Sequence, residues 1–184
     1  MGTDGYSRGT VGSRGAAGVD RGNDGVLPRP PRAVREMAPE PAAALARAQD
    51  LIEAAVDPVI LELVRRRVAA LLGDTRLATE ESSASKAHAL DGKLVELARW
   101  PTATVFSPAE RACLGLAEQY VLDVSGVGEA DTAPVLEHLG PAGLYGFVQA
   151  LYVIDESIRL DLALSAALAG AGTQRSGISI EEAP

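Results

Sequence analysis

Between Ile60 and Leu72 the apolar residues Ile60, Leu63, Val64, Val68, Leu71 and Leu72 recur at helical spacing. That pattern predicts an amphipathic helix with its arginines turned outward. Gly73 ends it. Asp74 can then cap a second helix, along one side of which Asp74, Leu77 and Glu81 fall at i, i+3 and i+7. Upstream, the run from Pro39 to Val56 is rich in strong helix formers, with Pro41 acceptable in a first turn, and Asp57-Pro58 reads as a cap and restart. Downstream, Ser82, Ser83 and Ser85 weaken the helical signal before Lys86-Ala-His88. Asp91 is read as the cap of a short helix that turns Leu94, Val95, Leu97 and Ala98 inward and stops at Trp100-Pro101.

After a surface loop, Ser107-Pro108-Ala109-Glu110 forms a capping box with proline at the first helical position. Ala112, Cys113, Leu116, Ala117, Tyr120 and Val121 follow on one face, which places Cys113 in the core. Beyond a glycine turn, Thr132-Ala-Pro134 opens a short helix to Leu139. Gly140-Pro141 closes it and opens the longest helix, to about Ala169. That helix carries the stripe Leu144, Phe147, Val148, Leu151, Ile154, Ile158 and Leu162, with Asp155 on the same stripe and Arg159 one turn on as its partner. No strand pattern survives, so the expectation is an all-α domain of about six helices spanning residues 39–170.

The chain ends differ from this body. In the first 38 residues glycine recurs among Arg, Ser and Asp, followed by Pro28, Pro30 and Pro31. Such a stretch is expected to form a disordered tail. Residues 171–184 are small and polar and read as a second loose tail. The N-terminus lacks the continuous apolar region of a secretory signal, so a cytoplasmic protein without membrane association is expected.

Composition narrows the classes of activity. With 47% hydrophobic and only 4% aromatic residues, one core must be built from Ala, Leu and Val. A net charge of −8 argues against general nucleic-acid binding. A single cysteine rules out an intrachain disulfide and a two-cysteine redox centre within one subunit.

The spacing of Glu62, Asp74, Leu77 and Glu81 resembles that of the carboxymuconolactone decarboxylase and alkylhydroperoxidase D-like proteins. Their redox members carry Glu, Cys, Cys and His at these places. Here only the glutamate is kept. A second likeness lies in Trp100-Pro101 and in the run from Phe106 to Glu118, which resembles the family's Trp-Pro and Phe-Thr-Pro-Arg-Glu-Arg segments. The likeness spans about residues 40–170 and implies a helical domain that assembles as a homo-oligomer and works without a cofactor. It also implies that Asp155, Glu156 and Arg159 buttress the helix after Gly73.

Thiol peroxidase chemistry is excluded as an inheritance, because neither Asp74 nor Leu77 can attack a peroxide or resolve an intermediate. Two expectations stand. One is a cofactor-free acid–base enzyme on a small organic substrate, using Glu62 with Asp74, Glu81 and His88. The other is a catalytically silent scaffold or binding subunit, in which Glu62 pairs with Arg65 and Arg66, Asp74 is only a cap, and Glu80 and Glu81 form a solvated face. His138 is taken as structural. No Glu-x-x-His or His-x-x-x-His pair occurs, so no metal is expected.

Overall fold

A computed structural model describes residues 25–175, with side chains to residue 167. The expected all-α architecture is present, and no strand occurs among the described residues. In chain order the α-helices are α1 (Arg32–Met37), α2 (Pro39–Ala55), α3 (Pro58–Leu71), α4 (Thr75–Thr79), α5 (Ser83–Ala87), α6 (Asp91–Glu96), α7 (Pro108–Leu122) and α8 (Glu129–Arg175). Helices α2, α3, α7 and α8 carry the body. Single 3₁₀ turns follow α6 and α7.

Helix α3 is the hub. The Asp57 carboxylate accepts from Val59 and Ile60 N–H at 2.9 and 3.1 Å and starts the helix at Pro58. Gly73, in the left-handed region at φ 79°, ends it, and Asp74 N–H returns to Ala69 O. Between these ends α3 packs against α7, α8, α4 and α5. Leu61, Leu63, Val64, Val68 and Ala69 are all fully buried, a set too wide for one helix face. The expected outward arginines are corrected: Arg65 and Arg66 are buried, because α4 and the turn after it cover the face that looked polar.

Other expectations hold in their placement and differ in detail. Ser107 and Glu110 form the reciprocal capping box, with Glu110 N–H to Ser107 Oγ at 3.2 Å and Ser107 N–H to Glu110 Oε2 at 2.8 Å. Cys113 is in the core. Helix α8 is two helices joined at Gly140, whose φ of 68° and extended ψ let the chain turn without a strained side chain. Its first limb starts at Glu129 rather than Thr132, where Asp131 accepts from Gly128 N–H at 2.9 Å. Phe147, Leu151, Ile154 and Ile158 lie in the core as expected. In α6 only Leu97, just past its end, is buried. Val95 is 77% exposed and Ala98 is exposed, and Asp91 is the first helical residue after Leu90, with no side-chain cap bond.

The stretch 25–38, expected to belong to a disordered tail, packs against the body. Val26 and Leu27 join the core, and Leu27 N–H donates to Glu53 at 2.9 Å. Gln49, fully buried on α2, donates to Pro28 O at 2.8 Å and to Ser157 Oγ on α8 at 3.1 Å. Arg29 Nη1 reaches Ala46 O and Gln49 Oε1, and its Nη2 pairs with Asp50. Two adjacent apolar residues and a glutamine with both amide ends satisfied fasten this segment, which glycine counting could not reveal. At the other end the backbone remains helical to Arg175, five residues past the expected domain limit. The remaining tail expectations, for residues 1–24 and 176–184, lie outside the described residues.

Candidate functional site: a buried carboxylate clamp

Glu62, Arg65 and Arg66 point into the space between α3 and α4, while Arg67 reaches Glu118 of α7. Arg65 grips the carboxylate with two bonds of 3.0 Å, from Nε to Oε2 and from Nη2 to Oε1, and Arg66 Nε reaches Oε1 at 2.7 Å. Glu62 is 0% exposed. The same guanidiniums cross to the end of α4: Arg65 Nη1 donates to Leu77 O at 2.7 Å and Nη2 to Glu80 O at 3.2 Å, while Arg66 Nη1 approaches Ala78 O at 3.5 Å. The arginines therefore serve two of α4's last carbonyls and that of the next residue, at the negative end of its dipole, and Glu62 offsets their charge. Arg66 Nη2 is buried and has no hydrogen-bond partner among the described residues.

Asp74 sits at the opposite end of α4. Its Oδ1 accepts from Leu77 N–H at 2.9 Å, so positions 74 and 77 are bound to each other as cap and capped residue. Asp74 is 6% exposed, and Arg76 Nη2 lies 3.9 Å from its Oδ2. Arg76 also binds the buried Asp161 of α8 at 2.5 Å and Glu80 at 2.5 Å. Asp161 is thus the residue of α8 that braces α4. The expected braces, Asp155 and Arg159, pair with each other at 2.8 Å instead, beside Tyr120. Tyr120's hydroxyl is held above its usual pKa by burial and then by Asp155.

The remaining two candidates do not reach the clamp. Helix α4 ends at Thr79, before Glu81 could complete a shared face, and Glu81 is 68% exposed in its side chain and pairs with Lys86 at 3.4 Å. The serine-rich stretch that weakened the helical expectation forms α5 through a capping box between Ser82 and Ser85. That turn carries His88 away to an exposed position, where it lines an open cleft of about 260 Å³ with Glu53, Pro58 and Ser83. Of the four candidates, Glu62 and Asp74 flank the same short helix, and Glu81 and His88 lie outside. Two other surface clefts, of about 340 Å³ beside Arg29 and Arg35 and about 420 Å³ beside Tyr120 and Arg159, are lined by none of Glu62, Asp74 and Glu81.

The segment that carries the second likeness is a brace between α6 and α7. Trp100 Nε1 and Arg67 Nε converge on Glu118 Oε1 at 2.6 and 2.5 Å, and Lys93 reaches Glu110 at 2.5 Å. Arg111 donates to the carbonyls of Trp100, Pro101 and Ala103. Trp100 and Arg111 thus hold the 97–106 connection against α7, and Lys93 ties α6 to the start of α7. Cys113, beneath this brace, has its thiol pKa pushed up to about 12 by burial, then by the charges of Asp57 and Glu110, so it is a poor nucleophile.

Among the described residues no group of three His, Cys, Asp or Glu side chains is placed to hold a metal ion. Among them also, no helix is long and apolar enough to cross a membrane. The chain matches no protein-family model and no curated protein sequence.

Proposed function

We propose that this chain is a non-catalytic helical subunit, a scaffold or binding protein that assembles with copies of itself, on a domain of the alkylhydroperoxidase D-like kind. The observation that carries the reading is the state of Glu62: enclosed, with both oxygens held by guanidiniums that also fasten α4. A general base must reach a substrate proton directly or through one water. Here three protein donors, two on Oε1 and one on Oε2, occupy most of the carboxylate's acceptor directions inside an enclosed site. The proposed helpers Glu81 and His88 stand at the surface. The family likeness supports the reading through its spacing: the arginines on Glu62 reach one end of α4, Asp74 caps the other and Leu77 is buried between them, so these positions serve as clamp, cap and core, while position 81 lies at the surface.

The full chain is expected to self-associate in sedimentation velocity and to leave both carboxymuconolactone and alkyl hydroperoxide unconsumed. Turnover of the lactone, abolished in Glu62→Gln while the circular dichroism spectrum is retained, would overturn this reading in favour of the acid–base enzyme.

A further inference from the structure

The second limb of α8, from Pro141 to Arg175, is about 50 Å long at 1.5 Å per residue. Its outer face has the spacing of a coiled-coil seam. Tyr145, Gln149, Tyr152, Glu156, Arg159 and Ala163 alternate steps of four and three, and all six are exposed, Tyr145 by 70% and Tyr152 by 56%. Continuing the same steps gives Ala166 and Gly170. The seam is therefore bulky in its first half and small in its second, with a carboxylate and a guanidinium at the middle.

Those middle charges have capacity to spare. Glu156 makes no hydrogen bond or ion pair among the described residues. Arg159 binds both oxygens of Asp155 through Nε alone, at 2.9 and 2.8 Å, which leaves its terminal nitrogens for another acceptor.

We infer that this face pairs with the same face of a second copy, antiparallel, about a two-fold axis between positions 156 and 159. In that register Glu156 of each copy meets Arg159 of the other. Tyr152 falls opposite Ala163, Gln149 opposite Ala166, and Tyr145 opposite Gly170, so each large residue is set against a small one along the whole seam. A parallel pairing would instead stack Tyr on Tyr and carboxylate on carboxylate. The choice of a second copy rests on this self-complementarity of size and charge, and it gives a geometry to the self-assembly proposed above.

The test uses the full chain and sedimentation velocity over a range of concentrations. Wild type should dimerise. Glu156→Arg and Arg159→Glu should each weaken self-association at least tenfold with helicity retained, and an equimolar mixture of the two should dimerise again, because the mixed dimer has two opposite-charge cross-pairs, one native and one reversed. As a check independent of charge, a mixture of Tyr152→Cys and Ala163→Cys chains should form an intermolecular disulfide on mild oxidation, Cys113 being buried. Unchanged dimerisation of both charge variants would overturn the α8 pairing and leave self-assembly through another face, and a mixture that stays monomeric would overturn the pairing of Glu156 with Arg159. A monomeric wild type would overturn the pairing and the self-assembling subunit together.

Discussion

Two charged regions on either side of α4 behave oppositely. Around Glu62 three ionised side chains are enclosed between α3 and α4, each oxygen or guanidinium tied to at least one partner. Around Glu81 the pair with Lys86 is two-thirds exposed on both sides, and His88 faces solvent. The contrast shows that charge at a motif position carries no fixed value. Where water is excluded, breaking a pair strands its partner in a poor solvent, whereas an exposed pair is nearly replaced by hydration.

The sharpest way to break the comparison is Glu62→Ala. It leaves two guanidiniums buried without their carboxylate and is expected to lower unfolding free energy by about 3–5 kcal/mol in urea titration. A loss under 1 kcal/mol would mean that the clamp is solvated. Arg66→Met should cost less, about 1–2 kcal/mol, because it removes a donor that has no partner while Arg65 still holds Glu62 by two bonds.

Cys113 extends the contrast to a neutral buried group. Its thiol titrates near 9.0 when unfolded and about 12 in the folded chain. The unfolded state therefore releases a proton first, so the stability it contributes is intact below 9.0 and is lost as pH rises towards 12. Between those limits wild type should lose up to about 1.4 kcal/mol per pH unit more than Cys113→Ala. Identical pH slopes for the two proteins would refute that assignment.

Asp74→Ala removes the cap on α4 and should cost about 1 kcal/mol, partly recovered in Asp74→Asn, which still offers a cap acceptor. At the small end, Glu81→Gln and His88→Ala should each shift stability by less than about 0.5 kcal/mol, read as an unchanged denaturation midpoint. A larger effect from either would place it in a contact that the exposed turn does not provide.

Chain-local chemistry was enough to punctuate this protein. Asp57, Gly73, Asp74, Ser107 with Glu110, and Gly140 act through backbone groups within a few residues, so their roles could be read from spacing alone. The Asp155–Arg159 pair and the burial of Cys113 were legible for the same reason. Partners distant in sequence were not. That Arg65 and Arg66 turn inward depends on α4 lying across them, that Asp161 rather than Asp155 braces α4 depends on how α8 is rotated about its axis, and that Val26 and Leu27 belong to the core depends on Gln49 and Glu53 of α2. Periodicity marks which residues share a helix face, but it does not count how many neighbours cover that face. For a central helix such as α3, covered on several sides, only the packed structure decides which charges are inside.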